Sequence, residues 1–469
     1  MTAQVPDAAS LGNWLSSWVR EDGSIYGFHN HSVWGGNPYR WLDFTSGHST
    51  WTSPFIAALA DALRQCPDPR GEELLRRMVD FQTASFQEDG NYEHIGFQVG
   101  ETLKRGLIHN AITNVSLGLA ACLAPDALGD TGVDTVRRAF ERNVVCHGRP
   151  NENATCNQDY ARIWAKLLFA DYADDNRFRD SVRGDIDYMI EHFHVRGLPD
   201  GESAGTLRSV NDTSAVEPAE YYGLMISPLV RAASVYGDTR YFDEAVALAR
   251  HVVRSSWTDS RGAVRFHRLW YRRRDEWAVN REPMLISGMG DTLAGILDIV
   301  ETRGNRELEA FLADCDRTYA AYQHPRGFFA AATGWQSEVD VAPSSAWHAH
   351  DFRYLVRRAE ITPEFWDRMF APDGGSVSVL LGDQCLWAEV GPHWAVSDYF
   401  WQDVFNLRGR KDRGYFGREM GWVGGPRALP DAFSFPGLPT FRKTESGIAL
   451  VSGDAEVSSI ASVPYLGSD

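Results

Sequence analysis

Between about residue 10 and residue 360, apolar positions fall into two alternating patterns. In the first, hydrophobic residues recur at three- and four-residue spacing opposite a charged face. Residues 72–86, 135–145 (TVRRAFERNVV), 177–193 (RFRDSVRGDIDYMIEHF), 241–257 and 306–322 read this way. That period belongs to a helix with one buried side. In the second, residues 54–63, 108–123, 161–172 (ARIWAKLLFADY), 221–235 and 283–300 (PMLISGMGDTLAGILDIV) are apolar nearly all round. Such a helix must be covered on every face.

The apolar helices begin near residues 54, 108, 157, 217, 283 and 346, a repeat of roughly 50–65 residues, at or a little above helical-hairpin length. Six hairpins fit two concentric rings, apolar helices inside and amphipathic ones outside. The expected fold is therefore all-α, an (α/α)6 barrel, with an open solenoid of helix pairs as its competitor. After about residue 370 the texture changes. Residues 375–391 (GSVSVLLGDQCLWAEVG) and 440–459 (TFRKTESGIALVSGDAEVSS) alternate like strands. The expected division is a barrel over residues 1–365 and a small β-containing C-terminal appendage over 366–469, packed on the barrel.

Composition narrows the function. The 469 residues carry 46 basic and 63 acidic side chains, a formal charge of −17. Nucleic acid and anionic membranes both need a basic footprint, so neither is an expected partner. The six cysteines are scattered without a C-x-x-C pair, which argues against a disulfide framework or zinc cluster. No metal or cofactor is expected. The first residues (MTAQVPDAASLGNWLSSW) lack a basic start followed by an apolar run, and a cytoplasmic location is the expectation. Sixteen Trp, 17 Tyr and 24 Phe suit an aromatic core and equally suit stacking on sugar rings.

In a six-hairpin barrel all inner helices start at one mouth. Their N-termini offer unpaired N–H groups and partial positive charge to a shared cavity. The residues around these starts are polar: His48, Ser49 and Trp51; His109, Asn110 and Asn114; Asn157, Asp159 and Tyr160; Asp212, Glu217, Glu220, Tyr221 and Tyr222; Arg281 and Asp291; Trp347, His348, His350 and Asp351. Capping explains Asn153, Ser214 and Ser345. It does not call for Trp, His and Tyr beside several acids, whereas a sugar-binding cleft does. A loop-like stretch, residues 23–53, and the turn holding Tyr92 and His94 are further cleft candidates.

The alternating helices, the Asn-Glu-Asn and Asn-Gln-Asp-Tyr lead into an inner helix (Asn151 to Tyr160) and Gly290-Asp291 within ISGMGDTLAGILDIVETRGN resemble the six-hairpin glycosidase superfamily. The resemblance covers about residues 10–360. It implies an (α/α)6 glycoside hydrolase or polysaccharide lyase acting on a carbohydrate; the lack of a signal-like start makes a small oligosaccharide or glycoconjugate the expected substrate.

Hydrolysis needs two carboxyls across the scissile bond, about 5–5.5 Å apart for retention or about 6.5–9.5 Å for inversion. Asp159, at the start of a very apolar helix, is the expected general acid, and Glu220 or Asp212 the base. The alternative is β-elimination from a uronic acid, with Tyr222, Tyr221, His348 or His350 removing a proton and Asn157 or Arg281 neutralising the carboxylate. Trp51, His48, His109, Asn110, Asn157, Tyr160, Tyr221, Arg281, Trp347 and His350 are the expected substrate contacts. Two other classes stay open: an isoprenoid cyclase using Asp174, Asp175 and Asp180, and a non-catalytic helical scaffold.

Overall fold

The computed structural model describes the helical body (residues 6–17, 53–86, 107–150, 155–196, 212–258, 286–323 and 345–372), short pieces between, and strand segments from 377 to 463. Thirteen α-helices lie among the described residues. The inner ones are α2 (Pro54–Gln65), α4 (Leu107–Leu123), α6 (Cys156–Tyr172), α8 (Gly223–Tyr236), α10 (Gly290–Arg303) and α12 (Ser345–Arg358). Each packs on the next, and α12 packs back on α2. That closure makes a barrel and excludes the open solenoid. The outer helices are α3 (Pro69–Ala84), α5 (Pro125–Arg142), α7 (Arg179–Phe193), α9 (Thr239–Arg254) and α11 (Arg306–Tyr322).

The last hairpin is completed by α1 (Ala8–Ser16) and α13 (Pro363–Met369), which pack on one another while α1 also lies along α12. Trp366 Nε1 donates to the Cys66 carbonyl at 2.8 Å, stitching this end to the first hairpin. The expected boundary at 365/366 therefore falls inside α13. The helical body runs through Met369 because Phe365, Trp366 and Met369 are core residues.

The two helix classes arise from burial. On α8, Leu224, Met225, Ile226, Leu229 and Ala232 are buried, so several faces of the helix are covered. On α9 the buried residues fall on one stripe, and Asp238 caps the first turn by accepting from Arg240 N–H at 3.0 Å.

Strands occur in the connections between the expected helices. Beside α7 and α8 lie β1 (His194–Val195), β2 (Gly205–Ser209) and β3 (Asp212–Val216). Between α9 and α10 lie β4 (Ser256–Thr258), β5 (Val264–His267), β6 (Trp270–Arg273), β7 (Glu276–Val279) and β8 (Pro283–Met284). They form a five-stranded sheet, β1-β2-β3-β6-β7, and a three-stranded one, β4-β5-β8. The fifth inner helix thus begins at Gly290 rather than Pro283. Gly288 has φ +97°, a conformation that breaks the helix there. The fourth begins with a 3-10 turn, Ala219–Tyr221, before α8.

The short pair β9 (Ala331–Ala332) and β10 (Val341–Ala342) precedes α12. Beyond α13, β11 (Val377–Gly382) and β12 (Leu386–Val390) fall in the first expected strand stretch, and β13 (Trp394–Ser397) is a further strand. Here β11 pairs antiparallel with β12 and parallel with β17 (Ser459–Val463), while β14 (Ala432–Phe433), β15 (Thr440–Thr444) and β16 (Gly447–Val451) form an antiparallel sheet. Among the described residues no helix is long and apolar enough to cross a membrane.

Candidate active site

Helix α12 sends successive polar side chains to different parts of the barrel. His348 turns toward the outer layer. Its Nε2 accepts the Phe329 N–H at 2.7 Å, and its ring lies 4.9 Å from that of Trp14 on α1. His350 turns the other way, along the inner ring to α10. Its Nδ1 lies 2.5 Å from Asp291 Oδ2. One turn further, Arg353 Nη1 lies 3.4 Å from Asp291 Oδ1, and its guanidinium sits 5.0 Å above the Trp164 ring of α6. Burial would raise the Asp291 pKa, but His350 and Arg353 hold it below the ordinary carboxylate range. Asp291 is therefore the acceptor, and His350 Nδ1–H donates.

Two glycines permit this closeness. A Cβ at Gly290 would lie 2.2 Å from the His350 carbonyl oxygen, and one at Gly223 1.9 Å from that of Asp291. A small cavity lies beside Asp291 and Arg353, lined also by Trp164, Ser116 and the apolar Ile112 and Leu224. It brings side chains of α4, α6, α8, α10 and α12 to one place, with Pro54 and Ala57 of α2 completing the wall. Four of these six helices contribute nothing charged to it; α10 and α12 contribute Asp291 and Arg353.

Toward the helix starts, Glu217 Oε1 accepts the backbone N–H of Asn157 at 3.2 Å, so a carboxylate from the fourth hairpin caps the third inner helix. Glu220 is buried on the 3-10 turn. That turn packs on the start of α10, where Thr292 Oγ1 donates to the Ala219 carbonyl at 2.8 Å and accepts from Gly223 N–H at 3.2 Å. Tyr221 is half-buried beside it.

Other expected residues serve the framework. Asp159 is paired with Arg162, and both are buried. Arg162 also reaches the Arg149 carbonyl, while Lys166, one turn on, donates to Gly148 O at 2.5 Å and Asp185 at 3.2 Å. This polar stripe faces the outer layer: Asp159, expected as the general acid at the start of a very apolar helix, is paired with a buried guanidinium. Tyr160 and Tyr222 are likewise fully buried, which raises both phenol pKa values. Tyr160 Oη lies 2.7 Å from His194 Nε2, and His194 Nδ1 lies 2.9 Å from Glu244 on α9. Tyr222 accepts the Thr206 N–H at 3.4 Å and packs on His251.

Asn110 Oδ1 accepts from Tyr92 N–H at 2.9 Å and from Asn143 Nδ2 at 2.6 Å; Asn114 and the Tyr92 hydroxyl complete that buried network. His109 is buried at the start of α4. His48, Trp51, Arg281, His94 and the stretch 24–52 lie outside the described residues, and of Asp212 and Trp347 only the backbone is described. Asp174, Asp175 and Asp180 lie at the far end of α6, where Asp175 pairs with Arg177 on the surface. Among the described residues, no group of three or more His, Cys, Asp or Glu could hold a metal.

Sequence reasoning named Asp291 and His350 separately and missed their pairing. It did not place Arg353 or Trp164 among the site residues. The signal available was His350 and Arg353 three apart on an apolar inner helix, which share a face.

Among solved structures the chain is similar to a sugar epimerase from a ruminal bacterium, with a TM-score of 0.51 and 11% identity over 75% of this chain and 96% of that one. It is also similar to the cellobiose 2-epimerase of Spirochaeta thermophila, with a TM-score of 0.50 and 13% identity over 74% and 92%. The chain has the fold of the six-hairpin glycosidases. A family 76 glycoside hydrolase (mannosidase) of Bacteroides thetaiotaomicron matches with a TM-score of 0.49 and 12% identity, over 76% of this chain and 99% of that one. No family model matches the sequence, and no curated protein does. At these identities the six-hairpin fold is what is shared, and the chemistry must be argued from this chain's own residues.

Proposed function

We propose that this chain is a carbohydrate-active enzyme whose chemistry runs through the Asp291–His350 pair. The observation that carries the reading is that buried pair between two inner helices, with Asp291, Arg353 and the Trp164 ring together lining a small cavity inside the ring. A sugar ring stacks on an indole face, and a guanidinium binds its hydroxyl or carboxylate oxygens. Asp291 fixes the imidazole tautomer and stabilises the imidazolium, as an orienting carboxylate does. His350 Nε2 then removes a proton from the sugar carbon next to a carbonyl or carboxylate, and Arg353 stabilises the negative charge that develops. Protonation of the opposite face by water, with His350 giving up its proton to solvent, gives an epimer. Expelling the group on the neighbouring carbon gives an unsaturated sugar. The two solved structures with the highest TM-scores quoted above are named as epimerases, which is compatible with the first outcome.

A second reading is glycoside hydrolysis with Asp291 and Glu220 as the carboxyl pair. It is favoured by the packing of the Glu220 turn on the first turn of α10, which sets two buried carboxyls on adjoining helix starts. Incubation with a panel of mono- and oligosaccharides in D2O separates the three. Epimerisation incorporates solvent deuterium at carbon without cleavage, elimination produces ultraviolet absorbance, and hydrolysis produces only new reducing ends. Absence of all three across neutral and acidic sugars removes the proposal.

A further inference from the structure

The residue after His350 is Asp351, wholly buried. Ser287 Oγ donates to its Oδ2 at 2.5 Å, and the Gly288 N–H lies 3.0 Å from Oδ1 and 3.2 Å from Oδ2. The Tyr319 hydroxyl of α11 reaches Oδ1 at 2.6 Å. Ser287 and Gly288 belong to a turn closed by Met289 N–H on the Ile286 carbonyl at 3.1 Å. That turn feeds directly into α10, whose second residue is Asp291.

The same Tyr319 hydroxyl lies 3.0 Å from the Ile286 carbonyl. A phenol has one proton, so it cannot serve both oxygens at once. With Asp351 ionised, that proton points at Oδ1. With a proton taken from solvent onto Oδ1, the carboxylic O–H donates to the Tyr319 oxygen, and the phenolic proton turns to Ile286. Both states satisfy every polar atom of the knot, and they differ by one proton and by which part of the turn Tyr319 holds. Burial pushes Asp351 up to about 6, against the lowering effect of the Ser287, Tyr319 and Gly288 donors and of His350. The titratable groups facing it are Tyr319, with Tyr354 and Cys315 behind that ring, and His350 on its own helix.

We propose that Asp351 and Tyr319 form a proton-responsive clamp on the turn before α10, and that Asp351 is a positioning residue that sets Asp291 against His350 according to its own protonation. The effect on turnover rests on the reading of Asp291–His350 as the reacting pair; the clamp itself does not.

The test is a pH titration of the hydrogen-bonded His350 Nδ1–H resonance in the full chain labelled with 15N-histidine, assigned by its loss in His350→Gln. In the wild-type chain the resonance moves through a step near pH 6. In Asp351→Asn that step is lost. In Tyr319→Phe it moves up by about one unit, because the ionised carboxylate has lost a donor. Tyr319→Phe keeps its ring against Phe329 and decides the matter alone where Asp351→Asn does not fold. A step that survives Asp351→Asn belongs to His350 and overturns the clamp, as does one that Tyr319→Phe leaves in place. No substrate is present in this experiment, so a failure of the sugar reading leaves its outcome intact.

Discussion

His350 and Asp291 meet across the seam between the fifth and sixth inner helices, with Nδ1 to Oδ2 at 2.5 Å. The contact exists because Gly290 lets α10 rest against the α12 backbone, where a Cβ would lie 2.2 Å from the His350 carbonyl oxygen. The proposed reacting groups and the packing that admits them therefore belong to one interface. Chemistry and stability can be separated there by choice of substitution.

Asp291→Asn keeps shape and one acceptor but removes the charge facing His350 and Arg353. Turnover of the identified sugar is expected to fall about 10²–10⁴-fold, the usual worth of positioned proton transfer. The folded state also loses about 3–5 kcal/mol, because the buried Arg353 guanidinium is left without its carboxylate. Steady-state kinetics beside urea unfolding measures the two effects. Undiminished kcat/KM in a folded Asp291→Asn would remove this pair from the mechanism.

Asp159→Asn separates framework from chemistry at the third hairpin. Breaking the buried Asp159–Arg162 pair is expected to cost about 3–5 kcal/mol, with kcat per folded molecule retained. A thousandfold loss of kcat at unchanged stability would restore Asp159 as the acid.

Gly290→Ala is expected to cost about 1–3 kcal/mol or more, since backbone atoms must move to admit the methyl group. Gly184→Ala, on an exposed face of α7, has only an arginine side-chain nitrogen within 4 Å, at 3.4 Å. It is expected to raise stability by about 0.5–1 kcal/mol through helix propensity. Chemical denaturation of both variants tests the contrast, and equal losses would contradict the close approach of α10 to α12.

Glu244 shapes the acid limb of stability. Burial would raise its pKa, but His194 and Arg196 hold it below the ordinary glutamate range. A depressed carboxyl stabilises the fold above its unfolded value, about 4.3, and that contribution is lost as pH falls through the lower folded value. His194, held below the ordinary histidine range by burial, acts in the same direction: an unfolded histidine takes a proton below about pH 6.5, while the folded one resists. Stability is expected to decline from about pH 6.5 downward. Glu244→Gln should flatten the lower part of that decline in a Tm-versus-pH series. An identical slope in the variant would place the titrating groups elsewhere.

The sequence by itself determined the all-α architecture and the inner or outer rank of most helices, because the period and width of the apolar stripe report how many faces are covered. Six repeats also determined that the ring could close. Strand insertions at β1–β8 were not legible, since short polar stretches between helices satisfy their backbones equally well as loops or as paired strands until a partner segment is near. The site was half legible. Polar residues at inner-helix starts announced themselves, but helical spacing alone does not say which way each one turns. His348 and His350 are two residues apart and serve opposite sides of α12, one against Trp14, the other against Asp291. Asp159 looked like an acid in an apolar setting until Arg162 closed on it from the same helix. Only the tertiary structure decided these cases. The partner of a buried charge is chosen by the rotation of its helix and by the neighbour that rotation meets, and neither is written in the chain's local pattern.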